Sequence, residues 1–113
     1  MFVDVDNSMT IAQEEIFGPV LVVIPFDDDD DAVRIANDSA YGLGGAIYSG
    51  SLERAMAVAA RVRTGTLNVN GGMAYGADVP FGGFKQSGVG RQNGTAGFDQ
   101  YLETTSLAWP AAQ

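Results

Sequence analysis

The stretch that decides the fold is Val20-Leu21-Val22-Val23-Ile24-Pro25-Phe26, which is followed at once by the acidic run Asp27-Asp28-Asp29-Asp30-Asp31. A short, unbroken apolar segment with β-branched residues is typical of a strand buried on both faces, so we predict a strand over residues 20–26. Aspartates at a helix N-terminus accept hydrogen bonds from free backbone N–H groups and oppose the positive end of the helix dipole. We therefore predict a helix that begins within the acidic run.

The segments that follow continue this alternation of strand and helix. The first helix is expected to stop near Tyr41-Gly42, and residues 45–49 indicate a second strand. Ser51 is a suitable cap for a second helix that ends at Gly65, and its apolar face is Leu52, Ala55, Met56, Ala59 and Val62. Residues 66–70 predict a third strand. This order predicts an α/β fold, a partial parallel sheet with two crossover helices.

The remainder of the chain has a different character. Residues 71–98 are rich in glycine and lack periodicity, which predicts a long loop, and Tyr101–Trp109 within residues 99–113 predicts a C-terminal strand. Residues 1–70 would then form the α/β unit. Two helices cannot cover both faces and both edges of three parallel strands, so we expect exposed apolar surface or oligomerisation.

Composition limits the possible functions. The chain has 113 residues, a net charge of −8 and a pI near 4.1, which disfavours nucleic acid and anionic membrane surfaces as partners. It contains no cysteine and no histidine, which removes thiolate chemistry, the commonest general base and the commonest transition-metal ligand. No apolar run reaches the roughly 20 residues needed to span a bilayer. These features predict a soluble, cytoplasmic protein of at most one domain.

Two motifs carry a family resemblance: Glu14-Glu15-Ile16-Phe17-Gly18-Pro19-Val20, and Pro80-Phe81-Gly82-Gly83-Phe84-Lys85-Gln86-Ser87-Gly88-Val89-Gly90-Arg91. A third segment, Asn68-Val69-Asn70, lies between these two motifs in the sequence. With these segments the chain resembles a C-terminal fragment, roughly the last quarter, of an NAD(P)-dependent aldehyde dehydrogenase. The resemblance extends from about Phe2 to Trp109.

The resemblance implies roles for particular residues on the cofactor side. Glu15 matches the glutamate that hydrogen-bonds the nicotinamide ribose, and an ionised carboxylate can accept from two neighbouring hydroxyl groups. Phe17 matches the position whose ring lies beside the nicotinamide. Leu43 matches a leucine that walls the nicotinamide pocket. NAD or NADP is therefore the implied cofactor of the complete enzyme, and this chain alone is not expected to bind it tightly.

Further positions match the substrate side and the subunit contacts of the family. Tyr75 and Phe81 match aromatic positions near the aldehyde channel, where large rings exclude water. Glu103 matches an acidic residue at subunit contacts, which implies a homo-oligomer. The resemblance thus implies that residues 71–98 are a substrate-channel or connection loop and that residues 99–113 form an oligomerisation strand. Gln92 departs from the family, because a glutamate frequently follows the arginine of this element, so no proton-relay role is transferred to it.

The resemblance implies oxidation of an aldehyde to a carboxylic acid with NAD(P) by the complete enzyme, with a small-molecule aldehyde as its substrate. No residue of this chain is assigned a catalytic role, because the family's nucleophilic cysteine and general-base glutamate are absent from it. The isolated chain is therefore expected to be inactive. The alternative is a non-enzymatic module that self-associates or binds a paralogue by strand addition.

The acidic run and the glycines around Lys85 are explained by local backbone structure, without a metal site or a nucleophile. Counted from Asp27, a calcium loop would need glycine at its sixth position and glutamate at its twelfth, where Ala32 and Asp38 stand, so helix capping is favoured and no metal site is predicted. Lys85 would need a desolvated pocket to act as a nucleophile, and an exposed lysine is the favoured interpretation. The glycines around it are interpreted as turns.

Overall fold

A computed structural model describes residues 1–111 of the chain, which form a mixed α/β structure. The last two residues of the predicted C-terminal segment 99–113 lie outside the described residues. The elements in chain order are α1 Thr10–Gln13, α2 Asp29–Asn37, β1 Tyr41–Gly42, β2 Gly44–Ile47, α3 Leu52–Ala59, β3 Thr66–Val69, β4 Phe84–Lys85 and α4 Gly94–Asp99.

Helix α2 begins within the acidic run, as the sequence predicts. The Asp28 side chain accepts a hydrogen bond from the Asp31 backbone N–H at 2.8 Å, which satisfies one of the free donors of the first turn. The helix ends at Asn37, earlier than the expected end near Tyr41-Gly42. The reason is that Lys85 Nζ binds the carbonyl oxygens of Asn37 and Ser39, and Tyr41 already belongs to β1.

Helix α3 connects the two parallel strands β2 and β3. The Ser51 side chain caps α3 by accepting from the Arg54 N–H, as expected. β2 pairs with β3 in parallel over Gly44↔Thr66 to Ile47↔Val69, so α3 is a crossover helix. The expected second crossover, through α2, requires a strand before it, and the structure forms no such element among the described residues.

The prediction of a fully buried strand over residues 20–26 is wrong. In this segment only Val22 forms a β-bridge, a parallel one with Phe2, and Leu21 and Val23 are exposed. A doubly buried strand needs hydrogen-bonding neighbours on two sides and helices over two faces. The described part of the chain supplies only the bridge from Phe2 to Val22. The apolar side chains of this segment are therefore not covered by a surrounding sheet.

The glycine-rich segment 71–98 is more structured than a plain loop. β4 within it pairs antiparallel with β1, and α4 begins at its end. The segment also packs closely against the residue before β3, because a Cβ placed on Gly65 would lie 1.6 Å from the Gly82 carbonyl oxygen. Periodicity does not reveal elements of two and six residues, which is why the sequence indicated a loop.

The predicted C-terminal strand over Tyr101–Trp109 is absent from the structure. Tyr101 lies in a turn, no helix or strand is assigned from Leu102 to Ala111, and the Trp109 side chain is 80% exposed. A strand is defined by hydrogen bonds to a neighbour, and no neighbouring strand lies beside this segment among the described residues.

The hydrophobic core is very small. Val5, Val33 and Ala55 are the buried apolar side chains of the described residues, whereas many large apolar side chains are exposed. This exposure agrees with the uncovered sheet expected from the sequence. Among residues 1–111, no helix is both long enough and apolar enough to cross a bilayer.

Candidate functional site

A concavity of about 940 Å³, here the large groove, is open to solvent. Its walls are the inner faces of α2 and α3, strand β2 and the extended segment that carries Ile24 and Phe26. Most of its surface is apolar, contributed by side chains that include Ile35, Val58 and Leu67.

Of the residues assigned to the cofactor, Glu15 and Leu43 line the large groove. Glu15 is exposed, so its carboxylate is free to accept hydrogen bonds from a hydroxyl-bearing ligand. The chemistry of this wall fits a ribose. Phe17 lines neither groove and its ring is fully exposed, so the described residues do not bring it to the other two.

One ion pair lies within the large groove. Arg54 of α3 donates to both carboxylate oxygens of Asp29 of α2, at 2.6 to 3.0 Å. The hydrogen bonds from Arg54 lower the pKa of the Asp29 carboxyl below its ordinary value of 3.8, and the same pairing raises the pKa of Arg54. Arg54 is therefore engaged in holding the two helices together.

A second concavity of about 470 Å³, here the small groove, brings together three of the predicted site residues, Leu43, Tyr75 and Phe81. Its lining also includes Asn68 of β3 and Met73 of the loop that follows. Leu43 is the only predicted site residue that lines both grooves. The side chains assigned to substrate thus share Leu43 with the groove that Glu15 lines.

Backbone contacts hold the small groove in shape. Phe81 and Gln92 exchange two backbone hydrogen bonds of 2.7 Å each in an antiparallel bridge. The residue that departs from the family pattern, Gln92, therefore positions an assigned substrate residue through its main chain. Asn68 Oδ1 accepts from the Ala74 N–H at 3.3 Å, which fixes the loop between Met73 and Tyr75.

Sequence reasoning missed several residues that hold the site together. Asn37 donates to the Arg61 carbonyl and accepts from the Arg63 N–H at 2.7 Å, linking α2 to the segment after α3. Ser87 Oγ accepts from the Gly42 N–H next to Leu43. Ser87 lies inside the quoted segment Pro80–Arg91. For both residues, the signal in the sequence was a polar side chain that can form hydrogen bonds with main-chain groups.

The arrangement can bind a ligand but contains neither a thiol nor an imidazole. The sequence lacks cysteine and histidine, and residues 1–111 contain no group of three or more acidic side chains placed to hold a metal ion. Glu103, assigned to subunit contacts, is exposed in the segment without secondary structure and lines neither groove.

The sequence is similar to those of known aldehyde dehydrogenases. The model of the aldehyde dehydrogenase family matches residues 1–107. A 3-succinoylsemialdehyde-pyridine dehydrogenase from a Pseudomonas species is 53% identical over 107 residues, which are 95% of this chain and 22% of that protein. A putative aldehyde dehydrogenase from Staphylococcus saprophyticus is 49% identical over 108 residues, with the same 22% share of its length.

The structure is also similar to solved structures of aldehyde dehydrogenases. The aldehyde dehydrogenase of Mycobacterium tuberculosis, complexed with NAD+, matches with a TM-score of 0.88 and 46% identity, over 99% of this chain and 23% of that one. The betaine aldehyde dehydrogenase of Staphylococcus aureus, in complex with NAD+, matches with a TM-score of 0.84 and 44% identity, over 89% of this chain and 20% of that one. The chain thus spans about a fifth of the length of these relatives.

Proposed function

The chain belongs to the aldehyde dehydrogenase family, and from this premise we propose that it forms one part of an enzyme that oxidises an aldehyde to a carboxylic acid with NAD or NADP. In that enzyme it supplies one wall of the nicotinamide site and one wall of the aldehyde channel. The remaining walls and the reacting groups come from the part of the enzyme that this chain does not contain.

The observation that carries this proposal is that Leu43 lines both grooves. Glu15 lies with it in the large groove, and Tyr75 and Phe81 lie with it in the small groove. A dehydrogenase must hold cofactor and substrate in direct contact, because the hydride moves directly between them, and two grooves that share a lining residue adjoin each other. The arrangement of these four side chains suits that requirement.

On the cofactor side, Glu15 accepts hydrogen bonds from the nicotinamide ribose and Leu43 packs against the nicotinamide ring. The bound cofactor supplies the acceptor for the hydride. Phe17 joins this wall in the complete enzyme, where other parts of the protein cover its exposed ring. A charge-assisted hydrogen bond of this kind orients a ligand as well as binding it.

On the substrate side, Tyr75 and Phe81 present apolar surface to the aldehyde and exclude water from the channel. Their backbone is fixed by the contacts of Gln92 and Asn68. This chain alone does not oxidise aldehydes, because the sequence contains no thiol to attack the carbonyl carbon.

A chimeric enzyme tests the proposal. The segment of the Mycobacterium tuberculosis aldehyde dehydrogenase that matches this chain is replaced by this chain, and NADH formation with a small aldehyde is measured. We expect activity within about tenfold of the parent enzyme, a difference of about 1.4 kcal/mol in the barrier. A folded chimera that binds NAD but oxidises no aldehyde would refute the proposed function.

The role of Glu15 is tested in the same chimera. Glu15→Gln retains the shape of the side chain but removes its charge, so we expect the KM for NAD to rise about tenfold through loss of a charge-assisted hydrogen bond. Glu14→Gln is the matched control, since its neighbour Glu14 lines neither groove. Equal effects of the two substitutions would argue against a specific contact of Glu15.

The second candidate function is a non-enzymatic module that assembles with itself or with a paralogue. The observation in its favour is the exposed apolar tail, in which Tyr101, Leu107 and Trp109 are each 80% exposed. Glu103 lies in the same segment and would sit at the contact. Light scattering of the purified chain tests self-association: a mass near 11.8 kDa at all concentrations would end this candidate for the chain with itself.

A further inference from the structure

We propose that Asn70 is a site of spontaneous covalent modification, at which the side-chain amide is lost as ammonia through attack by the backbone nitrogen of Gly71. The sequence has two Asn-Gly pairs, Asn70-Gly71 and Asn93-Gly94. The hydrogen bonds of the fold leave the first pair free to react and protect the second. This inference is independent of the proposed function.

The reaction needs only these two adjacent residues and water. The Gly71 nitrogen forms a bond to Asn70 Cγ and loses its proton, while the bond from Cγ to Nδ2 breaks and the amide leaves as ammonia. Water then opens the resulting succinimide ring at Cγ, which gives aspartate, or at the main-chain carbonyl, which gives isoaspartate. No oxidation is involved, and both products carry a carboxylate that is ionised at neutral pH.

Asn70 and Gly71 are the central residues of a turn directly after β3. The Gly72 N–H donates to the Val69 carbonyl at 2.9 Å, and φ is positive at both central residues, 49° at Asn70 and 81° at Gly71. These are features of a type I′ turn, in which Asn-Gly is a preferred pair. Asn70 is exposed, and a Cβ added to Gly71 would meet no atom within 4 Å. The attacking nitrogen therefore has space around it.

The peptide group that joins Asn70 to Gly71 is not held by hydrogen bonds. Neither the Gly71 N–H nor the Asn70 carbonyl bonds to another group of residues 1–111, so this peptide can rotate toward Cγ. The side chain is held instead, because Asn70 Oδ1 accepts from the Ser49 N–H at 2.8 Å. This donor lies beside the oxygen on which negative charge develops during the attack, and it therefore stabilises the intermediate.

The second pair is held at both ends of the corresponding peptide group. The Gly94 N–H donates to the Ala77 carbonyl, and the Asn93 carbonyl accepts from the Gly97 N–H, each at 2.9 Å. A Cβ added to Gly94 would lie 2.7 Å from the Asp78 carbonyl oxygen, so the backbone there is closely packed. Rotation of this peptide would break both hydrogen bonds, which makes the attack slower.

A third asparagine precedes a small residue, Asn7 before Ser8. The Ser8 N–H donates to the Asp6 carboxylate at 2.8 Å, and the Asn7 carbonyl accepts from Gln13 Nε2 at 2.6 Å. This peptide group is also held at both ends. The geometry therefore favours Asn70 among the three positions.

The modification alters the chain beside the small groove. In isoaspartate the main chain passes through the methylene of the former side chain, so the turn lengthens and the Gly72 N–H no longer meets the Val69 carbonyl. Met73 and Tyr75, which line the small groove, follow this turn. Both products also add one negative charge to a chain whose net charge is −8.

Peptide mapping after incubation at mildly alkaline pH tests the proposal. Trypsin separates the two sites, because Asn70 lies in the peptide 64–85 and Asn93 in the peptide 92–113. Mass spectrometry should show that the amide is lost about tenfold or more faster at Asn70 than at Asn93, since only the second site must break two hydrogen bonds. In concentrated urea, where neither peptide is held, the two sites should react at similar rates.

Paired substitutions assign the product. Asn70→Gln retains an amide but adds a methylene that disfavours ring closure, so the more acidic species should no longer form on isoelectric focusing of the intact chain. Asn93→Gln is the matched control and should form this species at the wild-type rate. An isoaspartate-specific methyltransferase should label the incubated wild-type chain and the Asn93→Gln variant but not the Asn70→Gln variant.

Three results would overturn the proposal. The first is an equal rate at the two sites without urea, or a faster reaction at Asn93. The second is formation of the acidic species by Asn70→Gln at the wild-type rate. The third is loss of the Asn70 amide without any isoaspartate, which would mean direct hydrolysis by water and not attack by the Gly71 nitrogen.

Discussion

Lys85 joins two distant parts of the chain through its side chain. Its Nζ donates to the carbonyl oxygens of Asn37 and Ser39 at 2.7 and 2.8 Å, and its backbone has a positive φ of 54°. A residue other than glycine in this conformation is uncommon and persists where its surroundings hold it. The sequence favoured an exposed lysine, but the structure gives a half-buried structural cation.

Replacement of Lys85 tests this role. Lys85→Met retains the apolar stem but removes the donors to two carbonyl groups, so we expect exchange of the Gln86 amide to accelerate tenfold or more, corresponding to about 1.5 kcal/mol or above. The Gln86 N–H donates to the Ala40 carbonyl at 3.0 Å, directly beside the anchor. Arg61→Met is the control, because Arg61 pairs with the exposed Asp30 and should have little effect.

The ion pairs of α2 predict how acid affects the chain. Hydrogen bonds from Arg54 and Arg34 lower the pKa of Asp29 and Asp31, respectively. A carboxyl group with a lowered folded pKa stabilises the fold above its unfolded pKa of about 4, and this contribution is lost as pH falls through the folded pKa. We therefore expect the helical circular dichroism signal to decrease below about pH 4.

Asp29→Asn should make this acid-induced decrease smaller, because the uncharged side chain no longer titrates. Glu53→Gln is the control, since Glu53 forms no ion pair in the part of the chain that the structure describes. A decrease of the signal between neutral pH and about pH 5 would contradict the assignment to these aspartates.

At the scale of elements, the helices were more predictable than the strands. The acidic run and Ser51 fixed the starts of α2 and α3 through local hydrogen bonds between a side chain and an N–H three residues away. The strand expected over 20–26 depended on neighbours that the described chain does not supply. Local contacts are encoded in a short stretch of sequence, whereas a strand needs partners that are distant in the chain.

The cap of α2 gives a prediction at this scale. Asp28→Ala removes the acceptor for the Asp31 N–H, which should cost about 1 kcal/mol and accelerate exchange of the Asp31 amide about fivefold. Asp27→Ala is the matched control, because Asp27 contributes its backbone N–H and not its side chain to the local bonds. Equal exchange rates in the two variants would show that Asp28 does not cap the helix.

The whole molecule is extended. The radius of gyration of its Cα atoms is 19.3 Å, and its extents are 74 × 32 × 27 Å. A compact domain of this length has a radius of gyration of about 13 Å. With Val5, Val33 and Ala55 as its buried apolar side chains, the part of the chain that the structure describes lacks the buried apolar surface that usually offsets the loss of conformational entropy.

This shape predicts the behaviour of the isolated chain in solution. We expect it to bind a hydrophobic dye and to unfold over a broad range of urea concentration, because little apolar surface is removed from water on folding. A monodisperse monomer that binds no dye and unfolds sharply would contradict this prediction.

Sequence alone determined the family, the helix starts, the acidic charge and the absence of a thiol, because motifs, caps and composition are local or additive properties. Only the tertiary structure showed that Leu43 lines both the groove of Glu15 and the groove of Tyr75 and Phe81. Only it showed that, apart from the bridge at Val22, residues 20–26 and 101–109 have no strand partners among residues 1–111. The physical reason is that grooves and sheets arise from contacts between distant segments. An apolar pattern in the sequence indicates which side chains can be buried. Whether they are buried depends on which other segments pack against them.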